Sequence, residues 1–333
     1  MASKVPSPDA PEPGPQPRVP VRDLAPEQVR AELWPRPAPA FVAMTADERA
    51  ELGAIVAALA RAAIAGGDLR ALAARAQGIG FCIEIWRVRG RVFWALREQP
   101  EQRRGGGAYI VRPGPRPGDA PEIVLQAPHV YFDRGTGNLA AALFFGEEGR
   151  GRARALFTNT AHRRSGMPRA TPEAQPGDGA PEAQPGDGPL AAQADHDEPT
   201  NGPADVAHNA EHGFQLATER IVRVLDHVVV IQLHGFADRP GQPEVILSSG
   251  ADHVPAHINA LAAALGAIFG RVLRYPDDID ELGGITNVQG RMLKRYRRAR
   301  FVHVELSGTT RRRLGRTPAL LARFADALLS SAL

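Results

Sequence analysis

From Glu122 to its end, the chain alternates short apolar, β-branched runs with stretches long enough for helices, and this alternation narrows the fold more than any other feature. The expected strands are 122–127, 153–159, 227–233, 244–248, 271–275 and 300–306. The expected helices are 136–145, 208–225, 256–269, 288–297 and 318–332. Strands joined by helix-length connections pair in parallel, and the helices then cover both faces of the sheet. Upstream, Thr45 and Glu48 form a capping box that opens a helix to about Ala65, where Gly66 and Gly67 stop it. A short helix is expected around 68–77, and 81–88, 91–97 and 108–112 read as an antiparallel meander. The expected class is α/β: a mostly parallel sheet with helices on both faces, an N-terminal antiparallel meander, and a disordered tail and insertion.

The tail is residues 1–40, dense in proline and without hydrophobic periodicity. The insertion lies at about 165–205 and contains a direct repeat, Pro172 to Gly179 recurring as Pro181 to Gly188. Two polar copies offer no apolar face to stack, so a solenoid is excluded. The expected organisation is a tail, 1–40, and a single α/β domain, 41–333, carrying the insertion.

Composition removes several functions. Lys and Arg number 40 against 37 Asp and Glu, a formal charge of +3, which argues against a protein built to wrap nucleic acid. Cys82 is the one cysteine, so neither a disulfide framework nor a multi-thiolate zinc site can form. The most apolar runs, 52–64 and 261–269, are too short to span a membrane. The first residues lack the apolar core of a secretory signal, and a cytoplasmic protein is expected.

In open α/β sheets, ligands bind beyond the carboxyl ends of the strands. His129 follows the 122–127 strand, His162 with Arg163 and Arg164 follows 153–159, and His234 follows 227–233. Glu305 stands near the end of the last strand, with His303 on the same face by two-residue alternation. Histidines and carboxylates without cysteine suit hydrolytic zinc, held by three protein ligands with one position open. His129 and His234 are the best pair and Asp133 the candidate carboxylate ligand. Glu305 is the candidate general base, and Arg163 is placed to bind a substrate carboxylate or polarise the reacting carbonyl. His162 and His303 are candidate substrate contacts. A rival metal site is His208-Asn209-Ala210-Glu211-His212, the H-x-x-E-H order of inverted zincins at an expected helix start, with Asp205 as a possible cap. The basic clusters 291–298 and 311–313 read as solvated helix faces that also attract anions.

The run from Ala127 through Pro128, His129 and Asp133 to Gly135 and Thr136 resembles the signature of poly-γ-glutamate hydrolases, a branch related to zinc carboxypeptidases and N-formylglutamate amidohydrolases. Leu233-His234-Gly235 resembles their third-ligand motif, and Glu305-Leu306-Ser307 with Arg311 resembles their Glu-Leu-Ser block. Asn287 and Arg291 are similar to their substrate-binding Asn/Arg stretch. The resemblance covers residues 122–314 apart from the insertion. The chain departs from the pattern in a spacer one residue shorter, in Asp133 where the family has Glu, and in Val130-Tyr131 where it has Gly-Gly. The amidase pattern has a Glu further along, where Leu143 and Phe144 stand. The resemblance implies a zinc-dependent hydrolase of an amide or peptide bond, acting on a small anionic, glutamyl-type or peptide substrate, with His129, Asp133 and His234 as ligands. The alternatives are a non-catalytic binding protein on the same scaffold and the inverted-zincin-type site.

Overall fold

The computed structural model describes residues 18–147, 149, 152–167 and 202–331. The first 17 residues and most of the expected insertion, with its repeat, lie outside the described residues. The strands are β1 (Val21–Asp23), β2 (Phe81–Val88), β3 (Arg91–Glu98), β4 (Ala108–Val111), β5 (Glu122–Ala127), β6 (Ala153–Thr158), β7 (Val228–Phe236), β8 (Val245–Ser248), β9 (Val272–Arg274) and β10 (Ala299–Ser307). The helices are α1 (Pro26–Leu33), α2 (Ala46–Ala65), α3 (Arg70–Gly78), α4 (Thr136–Phe145), α5 (Gly213–Leu225), α6 (Ala256–Gly266), α7 (Val288–Leu293), α8 (Gly308–Arg316) and α9 (Pro318–Ser331).

Among the described residues, the ten strands form one sheet in the order β1-β2-β3-β4-β6-β5-β7-β10-β8-β9. Its centre, β6-β5-β7-β10, is parallel. The β2-β3-β4 meander continues antiparallel onto β6, and β8 returns antiparallel on β10. The central strands read as continuous apolar runs because both faces are covered. On one face Leu125, Ile231 and Val304 pack with Leu139 and Leu143 of α4, Leu261 of α6 and Phe324 of α9. On the other, Val124, Val230 and Phe301 pack with Leu52 and Ile55 of α2 and Phe214 and Ile221 of α5. Each such side chain contributes about 1.5–3 kcal/mol on burial, so two filled layers hold the sheet.

The order of the central strands creates a crevice. The chain leaves β5 through α4 on one face and enters β6, then returns through α5 on the opposite face to β7, on the far side of β5. Connections that diverge from neighbouring strands leave the space at their carboxyl ends open. His129 stands beside that space just after β5, and His234 lies near the carboxyl end of β7, the neighbouring strand.

Four expectations shift. Residues 18–40 are not all tail: β1 pairs in parallel with the meander edge, and α1, opened by Pro26, buries Val29 and Leu33. The insertion ends sooner than residue 205, since Ala204 and Asp205 are fully buried. The 208–225 helix begins only at Gly213, because His212 caps it instead of joining it. The helix α8 was not expected. Its strongly basic sequence shows little apolar pattern, and Ser307, the last residue of β10, is also its N-cap.

His212 is buried, and it ties two segments. Its Nδ1 accepts from Phe214 N and its Nε2 donates to the Gly105 carbonyl, both at 3.0 Å. Burial pushes its pKa down to about 4, against the pull of the Gly105 carbonyl. An unfolded histidine takes its proton near pH 6.5 (about). Between that pH and about 4 the unfolded chain therefore holds a proton that the folded chain lacks, so stability falls as pH falls through this window. From pH 7 to pH 5 the share owed to His212 is about 2 kcal/mol. Urea unfolding at the two pH values should show the advantage of the native chain over His212→Asn shrinking by that amount. Parallel loss in both proteins would contradict this account.

Candidate metal centre

Alternation along the central strands places a polar edge on the sheet face covered by α2 and α5. Val124, Val230 and Phe301 lie in one register row, and the row beyond it is Gln126, Gln232 and His303. One row further, His234 pairs with Glu305. The face thus turns from apolar to polar over its last two rows, at the crevice. All of these polar side chains are buried.

His129 and Asp133 reach the same place from β5 through one tight turn. Phe132 N and Asp133 N both donate to the His129 carbonyl, at 2.9 and 2.7 Å. A spacing of four residues in a helical turn sets two side chains on one side. Gly135, at φ +95°, then turns the chain into α4, and the Thr136 hydroxyl donates to the Asp133 carbonyl. The outcome is a three-member cluster around one oxygen. Nδ1 of His129 and Nδ1 of His234 each stand 3.4 Å from Asp133 Oδ2, which Gly235 N also approaches at 3.3 Å.

The far nitrogen of each imidazole is held by a buried acceptor. His129 Nε2 lies 2.9 Å from Asp205 Oδ1, and His234 Nε2 lies 3.0 Å from Gln232 Oε1. A carboxylate and an amide oxygen can only accept, so both rings carry hydrogen on Nε2 and turn Nδ1 toward Asp133. Asp205 stands in the segment from residue 202 that leads into α5. Asn159, at the end of β6, donates to the Ala204 carbonyl, and Arg163 Nη2 pairs with Asp205 Oδ2 at 2.6 Å.

Burial opposes ionisation of Asp133, but the His129 and His234 imidazoles outweigh it and hold the carboxyl below its usual range. Asp205 is likewise held low, against burial, by His129, His208 and Arg163. Burial pushes His234 down to about 4 and His303 well below its usual value. For His129 burial works downward too, and the Asp205 carboxylate with Asp133 raises it instead.

The cluster fits a divalent cation. His129 Nδ1 is buried with no hydrogen-bond partner, an arrangement that costs about 1–3 kcal/mol unless something accepts the lone pair. Donors about 2.0–2.1 Å from a tetrahedral zinc stand about 3.3–3.4 Å apart, and the two observed nitrogen-to-oxygen separations are 3.4 Å. Two nitrogens and one oxygen, with no sulfur, are a common donor set for zinc. A second group, His234, His303 and Glu305, also has ligand atoms within 4.8 Å of one another. It is looser, with His303 Nε2 3.8 Å from Glu305 Oε1, and it shares His234 with the first.

The structure sorts the other sequence candidates. Glu305 and His303 lie beside His234, the His234 and His303 rings being 4.4 Å apart. Arg163 is already spent on Asp205, so the cation expected for substrate is engaged in holding the site. His162 lies half-exposed at the rim, its ring against Phe132. Asn287 gives its amide to Gln232 and caps α7, and exposed Arg291 donates to the Ile285 carbonyl. The inverted-zincin set does not assemble. Exposed Glu211 pairs with Arg49, and both nitrogens of His212 are engaged in the fold. His208 instead stands 3.2 Å from Asp205 Oδ1. Cys82 is a half-buried strand thiol that burial pushes up to about 11, far from a nucleophile's range.

Sequence reading missed Asp205 and Gln232 as partners of the two histidines. A glutamine closing each of the apolar runs that end in Gln126 and Gln232 was the available signal, since a buried polar residue needs partners. Arg311 of the expected basic face is half-buried instead. Its guanidinium lies over Gly235, where any side chain would collide with it.

No protein-family profile and no curated protein matches the chain. Among solved structures it is similar to a metallo-carboxypeptidase from Burkholderia cenocepacia, at 11% identity and a TM-score of 0.38, over 67% of this chain and 60% of that one. It is also similar to a succinylglutamate desuccinalase from Vibrio parahaemolyticus, at 13% identity and a TM-score of 0.39, over 76% and 67% of the two chains. An N-acetylmuramyl-L-alanine amidase from Mycobacterium smegmatis matches at 13% identity and a TM-score of 0.28, over 64% and 95%. The chain thus spans 60% of the carboxypeptidase's length.

The Asp205 contact yields a measurable consequence. Asp205→Asn keeps the shape and removes the charge that holds His129. Zinc affinity, read by competition with a chromophoric chelator, should fall about 10- to 100-fold, the usual scale for losing such a partner. An unchanged affinity in a folded variant would show that Asp205 does not orient His129.

Proposed function

We propose that the chain is a zinc-dependent hydrolase of an amide or peptide bond, in a small anionic or peptide substrate. The observation that carries this reading is the pair of imidazole Nδ1 atoms, each 3.4 Å from Asp133 Oδ2, with that of His129 buried and without a hydrogen-bond partner. His129, Asp133 and His234 would hold the ion. Zinc in such a set supplies Lewis acidity and acidifies a water molecule.

The remaining chemistry falls to the chain's own side chains. Glu305, in register with His234 on the neighbouring strand, takes the proton of the attacking water on its carboxylate. It then gives that proton to the leaving nitrogen as the carbon–nitrogen bond breaks. Asp205 and Gln232 keep the two ligand rings from rotating. His303, buried beside His234, closes the inner wall, and His162 and Arg164 stand at the rim with Phe132. Arg164 at the rim, added to the charge of the ion, favours a substrate that carries carboxylates.

The test pairs metal content with turnover. The native chain should carry about one zinc, as a three-ligand site requires, and His129→Ala and His234→Ala should lose it. Glu305→Gln should keep the zinc and the fold while hydrolysis falls about 10²-fold or more. Glutamyl peptides, N-formylglutamate and muropeptides are the substrates to screen. Loss of zinc in Glu305→Gln would make Glu305 a ligand, and full activity in it would end its role as the base.

A further inference from the structure

Besides His234, the Gln232 amide meets three other buried side chains. Gln232 Oε1 accepts from His234 Nε2 at 3.0 Å and from Asn287 Nδ2 at 2.7 Å. Gln232 Nε2 donates to Gln126 Oε1 at 2.7 Å and to Gln289 Oε1 at 3.0 Å. The two ends of an amide have opposite hydrogen-bonding sense, so the end that faces His234 depends on what faces the other.

Two backbone carbonyls settle the direction. The Val206 carbonyl can only accept, so Gln289 must turn Nε2 to it, at 2.8 Å, and its Oε1 toward Gln232. Thr218 gives its hydroxyl hydrogen to the Phe214 carbonyl at 2.8 Å, which leaves Oγ1 to accept from Gln126 Nε2 at 2.9 Å. Gln126 therefore also turns its oxygen toward Gln232. Reversing the Gln232 amide would set its oxygen against two others. Gln126, Gln232, Gln289 and Thr218 are all fully buried, so water cannot repair the mismatch.

We propose that Gln289 is a positioning residue of the metal centre, fixing the Gln232 amide so that His234 is held as the Nε2–H tautomer with Nδ1 bare toward Asp133. The same residue reaches the other histidine. Its acceptor, Val206, directly follows Asp205, which takes the Nε2 hydrogen of His129. One chain of hydrogen bonds running from β5 and β7 through α7 to the 202–209 segment therefore sets both imidazoles. This inference rests on the metal reading of the site.

The experiment uses the full chain labelled with ¹⁵N-histidine, with tautomers read from imidazole nitrogen shifts in zinc-free protein. Zinc affinity is measured on the same samples by chelator competition. Native His234 should be the Nε2–H tautomer. Gln289→Met, similar in length and unable to donate or accept as an amide, should gain the Nδ1–H tautomer at His234 and bind zinc about 10-fold more weakly. A native His234 in the Nδ1–H form overturns the proposal without any variant. So does a folded Gln289→Met in which the tautomer is unchanged, whatever its zinc affinity. Failure of the native chain to take zinc would instead count against the hydrolase reading, and the tautomer result would still stand.

Discussion

The site depends on one constraint: each of two imidazoles has its Nε2 hydrogen claimed by a buried acceptor, so each must present Nδ1 to Asp133. Asp205 makes the claim on His129 and Gln232 on His234. A neutral imidazole has one lone pair, and the position of the hydrogen decides where it points. Were either acceptor removed, the ring could exchange its nitrogens and the donor set around Asp133 Oδ2 would lose a member. Arg163 extends this control by pairing with Asp205, which keeps that carboxylate ionised and in place.

The fold supplies the setting for this chemistry. Parallel strands bring His234, His303 and Glu305 to one edge, and two-residue alternation puts them on one face. The divergence of α4 and α5 from the central strands opens the crevice into which His129 turns. Two filled apolar layers make the edge rigid, so separations of a few tenths of an ångström can be maintained. Beyond the apolar row of Val124, Val230 and Phe301, the buried amides of Gln126, Gln232 and Gln289 satisfy one another.

Much of this was legible in the sequence because it is local. The central strands, the meander and α4 follow from periodicity and capping, and His129 with Asp133 follows from a four-residue spacing at a strand end. What the sequence hid is long-range. Asp205 lies 76 residues from His129, beyond a low-complexity stretch, and nothing near it announces a partner. The tie between Gln232 and Gln289 spans 57 residues and joins a strand to a helix. The rival His208–His212 pattern forms no site because the segment is a set of turns, and i,i+4 residues share a face only where a helix forms. Residues 18–33 were obscured by proline density, although Pro26 itself opens a helix.

The central claim is that a single ion sits among His129, Asp133 and His234, and anomalous diffraction at the zinc absorption edge from crystals of the full chain tests it most directly. The account predicts one zinc peak about 2.0–2.2 Å from Nδ1 of both histidines and from an Asp133 carboxylate oxygen. A peak coordinated through Nε2 of either ring, a peak held by His303 and Glu305 instead, or no bound zinc would contradict it.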